Sequence, residues 1–427
     1  MDNKRYSIKT VLMPNGERLP LLIGPSGIPV HEVAIYVMAE IRGSNKAGNT
    51  IVQVLQAIRV LYIFLETRGL VMERRLAQGE ILTLPEIQAL VHYCKLPFKH
   101  IKENSDQPGT TSSGKIIPLE KVRQTLSANT TPMVSPLVAA TRLIYIRNYL
   151  SSLSRTWAYK YGYGSNEREN LIVAGEDLMQ MINSRLPSLN RHGTRQEREG
   201  LSSSDLERLF AVIAPDSPRN PWRSNHGKAR NELLILWLYY LGLRRGELLT
   251  ITVSDVSFFE KNVLVARRAD NPKDPRTNQP LTKTKARKLP IGDWLLGKTE
   301  EYIKLSRSLF KQARKHEFLF VAEGGAPLSM SACNKIFAEL RERCPDLPRN
   351  LFPHIFRHTW NDRFSEIADS KQFSEAEEMK MRSHLMGWSE TSGTAALYTK
   401  RHTRHKANEA LLEMQKQIQI SAGVPDE

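Results

Sequence analysis

ELLILWLYYLGLRRGELL, residues Glu232–Leu249, is the stretch on which the fold turns. From Glu232 to Leu241 it is apolar all round, the pattern of a helix buried inside a domain. Gly242 then stands where a left-handed cap ends a helix at least cost, which leaves Arg244 at the edge of a core. A guanidinium there is costly to desolvate unless an anion meets it. Glu247, three residues on, is one such anion, and the planar fork keeps donors for a phosphate as well. For this stretch alone an internal ion pair explains the residues better than a phosphate site does.

Working outward, Ser204-x-x-Glu207 reads as a capping box opening a helix with Leu206, Leu209, Phe210 and Ile213 on its apolar face. Downstream the period becomes that of strands at Thr250–Val253, Asn262–Arg267 and Lys288–Ile291, with Asn271–Pro280 as a long loop. Helices return at Ser331–Arg341, Pro353–Glu366, Glu375–Leu385 and Thr403–Ile418. Upstream, Pro187, Gly193, four arginines and almost nothing apolar after Leu189 mark an exposed linker between Asn183 and Gly200.

Before the linker, Val33, Val37 and Ile41 mark one helix. Ile51, Leu55, Ile58, Tyr62 and Leu65 mark a second, ended by Gly69. Thr83-x-x-Glu86 caps a third, and another runs from Ser135 to Trp157 with Arg142, Arg147 and Arg155 as phosphate-facing or merely solvated cations. The organisation expected is an N-terminal extension (1–30), a helical domain (31–185), a linker (186–200), a second domain (201–402) and a tail helix (403–427). The fold class is mainly α with a small antiparallel β-sheet in the second domain.

The chain of 427 residues carries a formal net charge of +16. That surplus calls for a polyanionic partner, nucleic acid first among several. Three cysteines, Cys94, Cys333 and Cys344, show no metal-binding or disulfide spacing. The longest apolar run noted, Leu233–Leu243, is too short to cross a bilayer and lies between Arg230 and Arg244. A polar start and few cysteines make the cytosol, with association to the nucleoid, the expected location, and no membrane partner is expected.

Three further pieces carry chemistry in the second domain. In PHIFRHTW, Pro353–Trp360, His354 and Arg357 share a helical face. Pro353 suits a first helical position, which would put His354 near the positive helix end, while His358 on the neighbouring face packs or bonds internally. In HLMGWSETSGTAALYTK, His384–Lys400, a Gly387-Trp388 turn precedes Tyr398. The basic run TKTKARKLPI, Thr282–Ile291, places Lys283 and Lys285 near the tip of a strand pair. Each piece singly has an ordinary structural explanation, as a surface pair, a packed tyrosine or a solvated loop.

Together, and in this order, they resemble the tyrosine recombinase (phage integrase) family. Over about Leu201–Lys400 the resemblance implies that Arg244 and Arg357 clamp the scissile phosphate and that Glu247 buttresses them. His354 matches the family's H-x-x-R histidine, Lys283 the lysine of its β-hairpin, and Tyr398 the nucleophile. Trp388 falls where most members have histidine and a minority tryptophan. The basic hairpin is one residue short, so Lys285 rivals Lys283. The resemblance further implies a helical core-binding domain, a double-stranded DNA recombination site as partner, a homo-oligomer (tetramer) on DNA, a mobile-element role, and no metal or other cofactor. Ala407, Leu411, Met414 and Ile418 form a stripe that either packs on its own domain or docks on a neighbouring subunit. A topoisomerase of type IB and a catalytically idle DNA-binding regulator are the competing readings.

Overall fold

The computed structural model describes residues 6–43, 48–103, 133–188, 200–268, 271–280, 282, 284–389, 393–396, 398–399, 403, 406–407 and 410–414. The chain divides into two compact units, Met1–Met13 with Arg18–Arg195, and Pro14–Glu17 with Gln196–Glu427.

The first unit opens on an antiparallel hairpin of β1 (Ser7–Leu12) and β2 (Arg18–Ile23), paired from Ser7 with Ile23 to Leu12 with Arg18. The alternating residues around Asn15-Gly16 suit such a hairpin, since Gly16 takes a φ of 86°. Helices follow: α1 (His31–Tyr36) running into a π-helical turn (Val37–Arg42), α2 (Gly48–Thr67), α3 (Met72–Ala77), α4 (Leu84–Cys94), α5 (Phe98–Glu103), α6 (Pro136–Ala158) and α7 (Asn166–Asn183). The Thr83 N–H donates to Glu86 at 2.8 Å, closing the expected capping box of α4.

Two features of this unit go beyond the sequence reading. By length and averaged composition α2 also passes as long and apolar enough to cross a membrane, although Gln53, Gln56 and Arg59 interrupt its apolar sequence. Its face of Val54, Leu55, Ile58 and Leu61 is buried in the core, where α6 and α4 pack on it. Arg142 does not face outward. It is buried and donates to the Cys94 and Leu96 carbonyls at 2.9 and 2.7 Å, neutralising the negative end of α4. Arg155 is exposed, and Arg147 pairs with Asn148 and Asn183.

The second unit comprises α8 (Ser203–Ile213), α9 (Asn225–Leu241), α10 (Arg245–Thr250), an antiparallel sheet of β3 (Val256–Ser257), β4 (Asn262–Val265) and β5 (Arg287–Pro290), then α11 (Asp293–Glu301), α12 (Met330–Arg343), α13 (Ile355–Ser370) and α14 (Glu375–Met386). The chain is thus mainly α with small antiparallel sheets. As its composition demands, α9 is buried from Leu233 to Leu238, with the Trp237 indole donating to Thr299 at 3.0 Å. It ends at Gly242 with φ of 58°. A Cβ there would lie 2.8 Å from the Trp360 ring and 2.9 Å from Met386, so both conformation and space require glycine.

Local capping chemistry overrides three further expectations. The cap of α8 is Ser202, whose Oγ accepts from the Asp205 N–H at 3.1 Å, in place of Ser204 with Glu207. Of the expected strand Thr250–Val253 only a single antiparallel bridge forms, Thr252 with Phe318. Thr250 closes α10, and the Asp255 carboxylate accepts from the Thr252 N–H at 2.8 Å, forcing a turn. The helix after Pro353 begins at Ile355, with His354 as its N-cap in helical dihedrals. In the tail Ala407, Leu411 and Met414 are exposed, so these residues do not pack on their own domain, while Ile418 lies outside the described residues.

Candidate active site

Glu247 is the centre around which the site is assembled. It stands at the third position of α10, 1% exposed, and its Oε2 accepts the Arg244 backbone N–H at 3.0 Å, so it caps its own helix. Side chains from three other places converge on the same carboxylate. Arg287, at the start of β5, donates to Oε2 at 3.0 Å, and Thr284 donates to Oε1 at 2.7 Å. The Arg244 guanidinium lies 3.3 Å from Oε1 and that of Arg357 3.8 Å from Oε2. Burial by itself would raise this carboxyl's pKa, but Arg287, Arg357, the Thr284 hydroxyl and the Arg244 N–H together hold it below the usual value.

Arg357 is fully buried and tied to the ends of two helices, donating to Gly242 O at 2.9 Å and Met386 O at 3.1 Å. Gly242 and Gly387 each terminate a helix in the left-handed conformation, and helix C-terminal carbonyls are the negative end of the dipole. The two glycine turns noted in the sequence therefore aim the arginine. Burial pushes the Arg357 pKa down to about 9, with Arg244 and Arg287 lowering it and Glu247 raising it. Three guanidinium groups surround a single carboxylate, and the cluster is left with positive charge in excess.

Tyr398 adjoins this cluster. Its ring stacks on Trp388 with centroids 5.7 Å apart and planes 9° from parallel, and the Arg357 guanidinium lies 5.1 Å from the Trp388 ring. The Tyr398 hydroxyl and His358 Nδ1 are 3.2 Å apart. Burial raises the phenol's pKa, while Arg357, Arg244 and Arg382 pull it down. Arg382 is itself buried, 5.8 Å from the Tyr398 ring centroid, and is held by Asn361, Ser365 and Glu378.

The structure thus brings together Arg244, Glu247, Arg357, Trp388 and Tyr398. His354 is exposed at the N-cap of α13, its ring 4.9 Å from that of His358. Lys283 lies outside the described residues. Lys285 is exposed, and its N–H donates to Gly387 O at 3.0 Å, joining the basic run to the Gly-Trp turn. Among the described residues, sequence reasoning passed over Arg287, Thr284, Arg382 and the contact of His358 with Tyr398. Arg287 had a signal, because period-2 alternation puts it on the buried face of β5 with Leu289. So had His358, since residues four apart share a helical face and the neighbouring-face placement was too strict.

An arrangement of this kind can hold a singly charged phosphodiester against the excess cations and present a phenol to it. Residues 200–405 match the Phage integrase family. That stretch of the chain is similar to the tyrosine recombinases of that family. Tyrosine recombinase XerC of Bacillus subtilis (strain 168) is 27% identical over 214 residues, covering 49% of this chain and 60% of the relative. Tyrosine recombinase XerA of Pyrococcus horikoshii is 26% identical over 176 residues, covering 41% of this chain and 52% of the relative. The chain spans 45–60% of the length of the curated relatives from which the first three similarities come. Among solved structures, a lambda integrase dimer bound to a COC′ core site matches with a TM-score of 0.43 and 15% identity, over 84% of this chain and 95% of that one.

Proposed function

We propose that the chain is a site-specific recombinase or integrase that cleaves and rejoins double-stranded DNA through a 3′-phosphotyrosyl intermediate at Tyr398, integrating or excising a mobile element. The observation that carries this reading is the convergence of Arg244, Arg287 and Arg357 on Glu247 beside Tyr398. A phosphodiester entering the cluster would offset the charge excess that, added to burial, lowers the Arg357 pKa. In turn, Arg244 and Arg357 would stabilise the charge developing on the nonbridging oxygens. One preorganised donor of this kind is worth about 2.7–4 kcal/mol, against roughly 4 kcal/mol for ionising a phenol of reference pKa about 10 at pH 7.

In this mechanism Glu247 orients the clamp and Trp388 fixes the plane of the nucleophile. His354 binds or relays protons at the exposed rim. Lys283, or Lys285 in its place, protonates the departing 5′ oxygen. The phosphotyrosyl bond conserves the energy of the bond broken, so a 5′ hydroxyl of another strand can rejoin it without a nucleotide cofactor. The partner is duplex DNA, for which the +16 charge supplies sequence-independent affinity. A homo-oligomer on that DNA accords with the exposed Leu411 and Met414 of the tail.

Trapping the covalent complex in cells under denaturing conditions and sequencing the attached DNA tests the proposal and yields the site. Tyr398→Phe removes only the nucleophilic oxygen, so the adduct should disappear while DNA affinity stays nearly unchanged. An adduct that survives this substitution would overturn the assignment of Tyr398.

A further inference from the structure

Within α13, His354 and His358 are one helical turn apart with ring centroids 4.9 Å apart and planes at 78°. His354 is exposed and His358 half-buried beneath it. From His358, Nδ1 reaches the Tyr398 oxygen at 3.2 Å, within hydrogen-bond range, and its ring lies 5.8 Å from the phenol ring. The other charged groups acting on the phenol are Arg357 of the same helix, Arg244 before α10 and Arg382 of α14. All three are cations held at Glu247, at main-chain carbonyls or at Glu378, and none is a base.

We infer that His358 is a catalytic residue, the group that receives the Tyr398 proton when the phenol attacks phosphorus, with His354 carrying the proton onward to solvent. The inference rests on the proposed cleavage by Tyr398 and deepens it. In the step, the Tyr398 O–H bond breaks and its proton passes to Nδ1, which must begin as the acceptor with the ring proton on Nε2. The Tyr398 oxygen–phosphorus bond forms and the bond from phosphorus to the 5′ oxygen breaks. That oxygen takes a proton from the lysine of the basic run. Rejoining runs the same transfers backward: the 5′ hydroxyl gives its proton to the lysine as it bonds to phosphorus, the Tyr398 oxygen–phosphorus bond breaks, and the imidazolium returns a proton to the departing phenolate oxygen.

The test measures single-turnover adduct formation against pH on DNA recovered from the covalent complex, for the native chain, His358→Asn and His354→Gln. Asn keeps an acceptor near the Nδ1 position but cannot hold the proton, so it separates positioning from transfer. His358→Asn should slow adduct formation by about 10²–10⁴-fold and abolish the acid limb of the profile, while His354→Gln should keep that limb. Added imidazole should restore part of the rate to His358→Ala and none to Tyr398→Phe. A His358→Asn protein with native rate and limb would overturn the role of His358 alone. Absence of any adduct from the native chain would overturn the cleavage reading and the relay with it. DNA binding by the variants, measured in parallel, shows that they are folded, and loss of rate without imidazole rescue or change in the limb would also overturn the inference.

Discussion

Glu247 and Arg287 meet at 3.0 Å with 1% and 2% of their side chains exposed, joining the first turn of α10 to the first residue of β5. Arg287 also donates to Leu385 O at 2.6 Å and to Thr284 at 3.2 Å. One side chain thereby connects the carboxylate that orients Arg244 and Arg357 to the end of α14 that presents Trp388. A buried charge of this kind is tolerable only with its partners in place.

Removing Arg287 should therefore be among the most damaging substitutions in the second unit. Arg287→Ala leaves Glu247 with less compensation in a dry site, and breaking a buried pair from one side typically costs about 3–5 kcal/mol. Arg287→Lys should not recover most of that loss, because one ammonium cannot reach the carboxylate, a hydroxyl and a carbonyl in the fork geometry of a guanidinium. Urea unfolding followed by Trp fluorescence measures both. Stability within about 0.5 kcal/mol of native in Arg287→Ala would contradict the role given to the pair.

The same carboxylate sets a pH dependence whose sign follows from its depressed pKa. Unfolded, a glutamate titrates near about 4.3, and folded, Glu247 titrates lower, so the unfolded chain takes up the proton first. The stabilisation is fully present above the unfolded value and is lost as pH falls through the folded one. Between about pH 5 and pH 2 the native chain should lose stability more steeply than Glu247→Gln, which has no such group to protonate. Unfolding midpoints taken across this range should converge toward acid. Parallel slopes would mean that Glu247 contributes nothing to acid sensitivity.

How much of this was legible beforehand depends on how local the determinant is. The buried helix before Gly242 is written in its own residues, as is the capping box at Thr83, and both form as read. Arg357 and Glu247 were recognised from motif order, but what holds them was not. The carbonyls of Gly242 and Met386 belong to helices that meet only in the folded domain. Arg287 looked like one cation in a basic run because the strand expected there began at Lys288, whereas β5 starts at Arg287, paired with Val265, and alternation puts it on the buried face with Leu289. Thr250–Val253 has strand-forming residues, and a helix end with a capped turn outweighs that preference.

Gly387 offers a check on the turn that links the basic run to Trp388. Its φ is 66°, and a Cβ there would lie 2.7 Å from Arg287 Nη1 and 2.9 Å from Lys285 O. Gly387→Ala should cost the about 1–2 kcal/mol of a left-handed non-glycine residue plus a clash with main chain that cannot relax cheaply. Gly27, at φ of 82° with nothing within 4 Å of its Cβ position, is the control and should lose the conformational part only. Equal destabilisation of the two variants would show that the close approach at Gly387 is unimportant.

Charge predicts how binding responds to salt. With +16 spread over the chain, affinity for any duplex should fall linearly in log–log form as salt rises, with a slope of about −0.9 per phosphate contacted. Fluorescence anisotropy on an arbitrary duplex between 50 and 200 mM salt, roughly the range over which such proteins lose most affinity, measures it. A slope near zero would count against a DNA-binding surface.

The last question is which lysine of the basic run serves the leaving group. Lys285 is exposed, directly before β5, and its N–H bonds to the Gly387 carbonyl, so its main chain is fixed next to the Trp388 turn. Lys283 is the residue that the family resemblance assigns. A 5′ alkoxide leaves poorly without a proton, so substituting the true donor by alanine should slow cleavage of ordinary DNA severely, by about 10²-fold or more. With sulfur in place of the bridging 5′ oxygen, the leaving thiolate has a reference thiol pKa of about 8.5 and needs no proton near neutral pH. Cleavage by the donor's alanine variant should then recover. Arg244→Ala and Arg357→Ala should remain slow on both substrates, because their task is charge stabilisation at nonbridging oxygens. Rescue of Lys283→Ala alone assigns the proton to Lys283, and rescue of Lys285→Ala alone moves it to Lys285. Rescue of neither removes the basic run from proton transfer.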